Sequence, residues 1–216
     1  LFQKHSYPFG LIVNVDGERF LDEGADFRNY TYVTYGRALM TQPQGLAFQV
    51  FDNKVKHLLR DEYWIPQATM AEADTLEELA SRLDIDVEGL VNTVKEYNAA
   101  IQTDIPHNPT VKDGRGTTGL AVNKTNWAET IDTPPYMGWA VTTGISFTFG
   151  GVKINTRGQV VTNAQDPIPG LYAAGEMVGG LFYYNYPGGS GLSAGMVFGK
   201  LSGISAAEDA RILKDI

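Results

Sequence analysis

The chain has 216 residues, of which 43% are hydrophobic and 19% are charged, and its formal net charge is −8. These proportions are typical of a folded globular protein, and no apolar run approaches the roughly 20 residues that span a bilayer. The acidic balance, with scattered lysines and arginines, disfavours nucleic acid and anionic membranes as partners. Cysteine is absent and histidine occurs 3 times, so thiolate chemistry is excluded and a metal site is not expected.

We expect a cytoplasmic location. The sequence opens with "LFQKHSYPFG", which has neither the charged start nor the apolar centre of a signal peptide. The lack of cysteine agrees with a reducing compartment.

The first half of the chain predicts strands and helices in one small mixed unit. A turn dipeptide at Asp16 and Gly17 lies between apolar stretches and predicts a hairpin. Residues 29–40 predict a helix that becomes regular in its second half, and residues 46–52 predict a buried strand. A helical stripe is predicted over residues 53–63.

Two further helices are predicted next. Thr75 stands three residues before Glu78, which is the spacing of a capping box, and a helix is expected to begin after Thr75. Apolar residues recur at helical spacing over residues 87–101 and predict a second helix. Residues 102–135 are polar and rich in turn residues, so we expect a surface excursion there.

The composition changes near residue 144, from charged helices to glycine-rich strands and turns. Short β-prone runs predict several strands between residues 136 and 174, the last over 171–174. A helix rich in small residues is predicted over 191–213. We therefore expect two domains, at residues 1–143 and 144–216.

The stretch "YYNYPGGSGLSAGMVFGKLSG", residues 183–203, sets aromatic residues beside a glycine-rich turn that runs into this helix. Such a turn presents backbone N–H groups and the positive end of a helix dipole, which favour an electron-rich edge of a ligand. The stretch lacks the lysine of a phosphate-binding P-loop and is not a GxGxxG motif after a strand. A tight turn that serves only helix packing is the alternative interpretation.

Several stretches together resemble the fumarate reductase/succinate dehydrogenase flavoprotein family. They are "NVDGERFLDEGADFRNYTYVTYGRA", "TLEELASRLDID", "NTVKEYNAA", "KTNWA", "GISFTFGG" and "PIPGLYAAGEMVGGLFYYNYPGGSGLSAGMVFGKLSG". The resemblance runs the full chain and is closest to the tricarballylate dehydrogenase branch. The last stretch is its most specific part.

This resemblance implies a fold in two parts. Residues 1–143 look like an α+β capping domain, which clamps the substrate. Residues 144–216 look like the C-terminal portion of a Rossmann-like α/β FAD-binding domain, whose N-terminal half with the GxGxxG motif is absent from this sequence. The resemblance implies FAD as the cofactor of the full-length protein.

The resemblance also implies which residues contact FAD. The acid after "AAG" hydrogen-bonds the ribityl chain in the family, which places that role on Glu176, beside Gly175. Backbone amides of the glycine-rich turn would face the N1–C2=O edge of the flavin. The residues implied there are Gly188, Gly189, Ser190, Gly191, Leu192 and Ser193. A solvated acid at the end of a strand is the alternative for Glu176.

An arginine of the family's capping domain moves a proton at the carbon next to the one that exchanges a hydride with the flavin. The resemblance places that role on Arg28, in "ADFRNY". From the residue type alone, Arg28 is a planar, charged partner for a carboxylate, and the two roles are compatible. An ordinary salt bridge to Asp22, Glu23 or Asp26 is the alternative.

The substrate positions depart from the pattern of the fumarate reductases. A histidine that binds one substrate carboxylate corresponds here to Phe147, which Thr148 follows, and an arginine that clamps the other corresponds to Tyr186. A tyrosine before Pro-Gly also resembles the ketosteroid dehydrogenases, in which its hydroxyl helps to polarise a carbonyl oxygen. Tyr184 and Asn185 are further candidates to line a substrate pocket, and a packed core tyrosine is the alternative for Tyr186.

We therefore expect a fragment of an FAD-dependent oxidoreductase that desaturates or reduces a C–C bond next to a carboxylate. Its substrate would be tricarballylate-like or succinate/fumarate-like, Arg28 and Tyr186 would be catalytic, and the electron acceptor is unidentified. The chain alone is expected to be inactive. A ketosteroid-type dehydrogenase and a non-catalytic fragment are the alternatives. His5, His57 and His107 receive no functional role.

Overall fold

The computed structural model describes residues 3–145 and 147–214. Contacts divide the chain into two compact units, Leu1–Thr143 and Gly144–Ile216, and this division falls where the composition of the sequence changes. The helices of the described residues are α1 (Arg28–Met40), α2 (Leu76–Leu83), α3 (Val87–Ala100) and α4 (Ser190–Lys214). The assignment of the units as capping domain and FAD-domain portion stays a prediction.

The first unit is built on a four-stranded antiparallel sheet. In spatial order its strands are β1 (Leu11–Val13), β2 (Leu46–Phe51), β4 (Tyr136–Thr142) and β3 (Met70–Ala73). Phe48 of β2 pairs with Ala140 of β4, and Ala71 of β3 pairs with Gly138. The buried strand predicted over 46–52 is thus confirmed at the centre of the sheet.

Alternation of side chains along the strands gives this sheet two buried faces. Leu11 and Phe48 face a core that they share with residues of α2 and α3. Ile12 and Ala47 point the opposite way, into a cluster with Leu39 of α1. The sheet therefore lies between the α2–α3 pair on one side and α1 on the other.

The predicted start of α2 is confirmed. Thr75 Oγ1 accepts a hydrogen bond of 3.1 Å from the Glu78 amide, as an N-cap residue does. The Glu78 carboxylate accepts a hydrogen bond of 2.6 Å from Arg82. Of the two hydrogen bonds of a capping box, the structure therefore forms the one that Thr75 accepts. The second predicted helix is confirmed as α3.

Two elements differ from the sequence predictions. Helix α1 is regular from Arg28 onward, because the buried Tyr7 hydroxyl bonds Thr31 at 2.8 Å and fixes the first turn. Residues 53–64 form two short 3₁₀ helices, Asn53–Leu58 and Asp61–Trp64, instead of one helical stripe. Tertiary packing outweighs a weak local periodicity at both places.

The second unit holds a two-stranded antiparallel ribbon and the long helix α4. Strand β5 (Gln159–Val161) pairs with β6 (Pro167–Tyr172). The strand predicted over 171–174 therefore begins earlier and ends at Tyr172. Val160, Ala173 and Val178 form a small buried core. Within residues 3–145 and 147–214, no helix is both long and apolar enough to cross a bilayer.

Candidate functional site

The glycine-rich turn leads directly into α4, which begins at Ser190, one residue from the predicted start. Gly189 has a left-handed backbone with a φ of 91°, which a glycine adopts without strain. The first turn of α4 contains no acidic side chain. The positive end of its helix dipole is therefore available to an electron-rich ligand edge.

Two amides of this turn have partners inside the protein. The Gly191 amide donates to the Tyr186 hydroxyl at 2.9 Å, and the Ser190 amide donates to the Pro187 carbonyl at 3.1 Å. A Cβ atom at Gly191 would meet the Tyr186 hydroxyl at 2.5 Å and the Phe147 ring at 2.7 Å. A side chain at this position would have to displace the two rings, which glycine allows to lie against its backbone.

Four aromatic side chains form what we call the ring cluster, namely Phe147, Phe149, Phe182 and Tyr186. Phe147 and Tyr186 stack with ring centroids 4.6 Å apart and 23° between the ring planes. Phe182 packs edge-on against each of them, at 5.6 and 4.9 Å. The structure thus brings the two predicted substrate positions Phe147 and Tyr186 into one aromatic wall.

Tyr184 and Asn185 directly precede Tyr186 in the sequence and lie on a strained turn. Tyr184 has a φ of 67°, a left-handed conformation that is uncommon for a bulky residue. The Asn185 amide donates back to the Tyr183 carbonyl at 2.7 Å, which closes a three-residue turn. The Tyr184 side chain is 61% exposed, so this strain presents an aromatic ring to the surface.

Glu176 is tied to the segment that carries the ring cluster. Its Oε1 atom accepts a hydrogen bond of 2.8 Å from the Thr148 amide. Gly175, directly before it, has a φ of 82°, and this left-handed backbone makes glycine the natural choice there. A predicted cofactor residue, Glu176, and a predicted substrate residue, Thr148, are therefore in direct contact.

Arg28 lies in the first unit, as the first residue of α1. Its half-buried side chain donates a hydrogen bond of 2.9 Å from Nη1 to Nδ1 of His5. The first turn of α1 holds no acidic residue, and its N-cap Phe27 makes no side-chain cap. A cation at a helix N-terminus adds to the positive potential of the dipole, so this point attracts anions.

The acidic residues that lie near Arg28 in the sequence have other partners. Glu23 pairs with Arg19, Asp26 pairs with Lys112, and Asp22 accepts from the Thr125 amide. Among the residues that the structure describes, no carboxylate forms a salt bridge with Arg28. The alternative of an ordinary salt bridge is therefore wrong for these residues.

His5 is a site residue that sequence reasoning missed. Burial, together with the neighbouring charges of Arg28 and Arg60, lowers the pKa of His5 to about 4 against the opposing effect of Glu62. The ring is therefore neutral at neutral pH and accepts the hydrogen bond from Arg28 through Nδ1. His5 and Arg28 are 23 residues apart, and no sequence spacing links them.

A separate cleft of about 520 Å³ lies in the second unit. It is lined mainly by backbone and apolar groups, with Lys153 as its cationic side chain, and includes Asn155, Gly179, Leu181 and Phe198. None of these residues was predicted to be functional. Across the described ranges, no group of three or more side chains could hold a metal ion.

The chain belongs to a family of flavoproteins, since the model of the FAD binding domain family matches residues 4–192. It is 34% identical over 203 residues to the NADH:fumarate oxidoreductase of Klebsiella pneumoniae, an alignment that covers 93% of this chain and 20% of that protein. It is 27% identical over 226 residues to the 3-oxosteroid 1-dehydrogenase of Mycobacterium tuberculosis, covering 94% of this chain and 39% of that one.

A solved structure supports the same assignment. The open conformation of a flavocytochrome c3 fumarate reductase matches with a TM-score of 0.69 and 30% identity, over 97% of this chain and 34% of that chain. This chain thus spans well under half the length of these relatives. Its fold is a mixed α/β fold of FAD-dependent oxidoreductases, and the cofactor of the family is FAD.

The local structure fits such a cofactor. The acid-free start of α4 leaves the positive end of its helix dipole to stabilise an electron-rich ring edge. The close approach of rings to Gly191 shows that flat groups pack against this backbone. The particular residues that contact FAD remain predictions.

Proposed function

We propose that this chain is a portion of an FAD-dependent oxidoreductase that desaturates or reduces a C–C bond beside a carboxylate, with a tricarballylate-like substrate. The observation that carries the proposal is Arg28, a half-buried cation at an acid-free helix N-terminus, held by the neutral His5. Such a group binds a carboxylate strongly because it is partly desolvated and its charge is not cancelled.

FAD, when bound, supplies the two-electron exchange of hydride with one carbon of the substrate. Arg28 holds the carboxylate in charge-assisted hydrogen bonds, and these spread the negative charge that develops when a neighbouring carbon loses its proton. In the direction of reduction, an N–H of the same guanidinium would give its proton to the neighbouring carbon, and the neutral guanidine would then take a proton back from solvent. Glu176 and the turn at residues 188–193 hold the flavin.

Replacement of Arg28 tests this proposal. In the full-length, flavin-loaded protein, Arg28→Ala and Arg28→Lys should each lower kcat/KM for tricarballylate by about 10²-fold or more, because the clamp on the developing charge is lost. The flavin absorbance should be unchanged. Arg37→Lys, on the exposed part of the same helix, is the matched control, and turnover that survives in Arg28→Ala would refute the proposal.

A ketosteroid-type dehydrogenase is the second candidate, and the ring cluster favours it. Phe147 and Tyr186 form an apolar wall, and the Tyr186 hydroxyl and Gly191 amide meet at 2.9 Å. A hydroxyl whose oxygen accepts from an amide can donate its own hydrogen to a carbonyl oxygen and so polarise it. Tyr186→Phe should then abolish oxidation of a 3-oxosteroid, whereas it should change tricarballylate turnover little if the first proposal holds.

The proposal that the chain is one portion of a larger FAD-binding fold rests on a further observation. One face of α4 exposes apolar side chains at helical spacing, which are Leu192, Met196, Val197, Leu201 and Ile204. A contiguous exposed apolar face is typical of a surface that packs against more protein. We therefore expect no redox activity from the chain alone.

A further inference from the structure

The contact between Arg28 and His5 differs in kind from other arginine contacts in the chain. Arg19, in the same unit, is paired with the fully buried Glu23 at 2.6 Å, and its charge is cancelled there. Arg28 instead donates to the uncharged Nδ1 of His5 at 2.9 Å. The fold thus holds Arg19 by an anion and the half-buried Arg28 by a neutral acceptor.

The surroundings of His5 keep its ring neutral and fixed. Tyr32, one turn further along α1, lies with its ring centroid 5.3 Å from the imidazole, and Tyr7 lies edge-on at 6.5 Å. Arg60 and Glu62 are the other charged groups that act on the ring. A protonated imidazole would carry hydrogens on both nitrogens and could not accept from Arg28.

A neutral acceptor has a consequence that a carboxylate would not have. A carboxylate at the position of His5 would orient the guanidinium equally well, but it would cancel the charge and compete with any carboxylate ligand. An imidazole fixes the orientation by accepting one N–H hydrogen bond from the guanidinium, and it leaves the net charge of Arg28 in place. That contact uses one of the five N–H donors of the guanidinium, and the others can serve a second partner.

We infer that His5 is a positioning residue for Arg28, which orients the guanidinium through a neutral nitrogen so that its full charge serves a substrate carboxylate. This inference rests on the proposed function of Arg28 as a carboxylate clamp. It assigns a role to His5 that depends on two separate properties, namely a hydrogen-bond acceptor at Nδ1 and the absence of negative charge.

Three substitutions separate these properties in the full-length, flavin-loaded protein. His5→Asn keeps a neutral acceptor close to the position of Nδ1, His5→Phe keeps the ring without an acceptor, and His5→Asp supplies an acceptor with a negative charge. The measurements are KM and kcat for tricarballylate, and the Kd of tricarballylate from the perturbation of the flavin spectrum. Thermal unfolding of each variant checks that it folds.

We expect His5→Asn to remain within about threefold of the unmodified protein in Kd. His5→Phe should weaken binding about 10-fold, because the acceptor is lost. His5→Asp should weaken binding about 10- to 100-fold, because the new carboxylate neutralises the charge of Arg28. A merely structural role, in which His5 only holds the arginine in place, predicts that His5→Asp binds as well as His5→Asn. That result would overturn the inference.

Nitrogen NMR of labelled histidine gives a readout that does not depend on turnover. We expect His5 to show one protonated and one unprotonated ring nitrogen at pH 7 and to titrate near its pKa of about 4. Titration near pH 6.5 would contradict the inference, whatever the kinetics show.

The two proposals fail in different ways. If Arg28→Ala turns over tricarballylate normally, the proposed function is wrong. If Arg28→Ala is inactive but His5→Asp binds tricarballylate as the unmodified protein does, the proposed function stands and the role of His5 is wrong.

Discussion

Lys124 shows how strongly the interior of the first unit perturbs a single residue. It is fully buried, and its Nζ atom donates a hydrogen bond of 2.8 Å to the Gly10 carbonyl. Burial lowers the pKa of Lys124 from 10.5 to about 8, although the nearby Glu23 opposes the shift. Between these two values the unfolded chain binds more protons than the folded one, so the contribution of Lys124 to stability rises with pH there.

Lys124→Met should remove this dependence on pH. In the unmodified protein, Lys124 should raise the free energy of unfolding by about 2 kcal/mol between pH 8 and pH 10. This rise should be absent from the variant. Urea unfolding at both pH values measures it. Lys112→Met, on the surface, is the control and should change the free energy by less than about 0.5 kcal/mol. Equal pH slopes for the unmodified protein and Lys124→Met would contradict the expectation.

At the scale of the element, the cap of α2 is a local interaction that can be tested alone. Thr75→Ala removes the acceptor of the Glu78 amide, so the free energy of unfolding should fall by about 1 kcal/mol. Ser81→Ala, in the same helix, removes only an exposed hydroxyl that bonds the Glu77 carbonyl and should be nearly neutral. Chemical denaturation measures the free energy of unfolding of both variants. Similar losses in Thr75→Ala and Ser81→Ala would contradict the stabilising role of the cap.

The loops of the second unit approach each other through glycine. A Cβ atom at Gly151 would lie 2.2 Å from the Met177 carbonyl oxygen, where the Val152 amide donates to that carbonyl at 2.9 Å. Gly151→Ala should therefore cost about 1–3 kcal/mol of stability. Gly150→Ala is the matched control, because a Cβ at Gly150 meets nothing within 4 Å. Equal stability of the two variants would show that the loops are not in close contact.

At the scale of the whole molecule, the two units differ in how much they bury. Among the described residues, the first unit has three clusters of buried apolar residues, whereas the buried core of the second contains Val160, Ala173 and Val178. Amides of β2 and β4 should therefore exchange with deuterium at least 10-fold more slowly than amides of β5 and β6. Equally slow exchange in the ribbon would show that burial in this core does not set its stability.

The flavin itself provides the other test at this scale. After free FAD is removed by desalting, we expect the chain alone to be colourless but to unfold cooperatively, because the turn before α4 would supply only one side of the flavin site. A stoichiometric flavin spectrum would contradict this expectation. It would mean that the C-terminal turn suffices to hold the ring.

Elements that depend on local chemistry could be predicted from the sequence. The start of α2 after Thr75 follows from a hydroxyl within reach of a nearby amide, and the long helix α4 follows from its composition. Motif resemblance pointed to a flavoprotein, and family membership confirmed FAD as the cofactor. Such features need only neighbours in the chain, so short-range pattern suffices to predict them.

Contacts between residues far apart in the chain could not be predicted from the sequence. The pairing of His5 with Arg28, the stack of Phe147 on Tyr186, and the contact of Glu176 with Thr148 join residues 23, 39 and 28 positions apart. The protonation of His5 and Lys124 likewise follows from burial, which is a property of packing. Sequence spacing does not encode these contacts, because they depend on how separate elements dock and on what each docking removes from water.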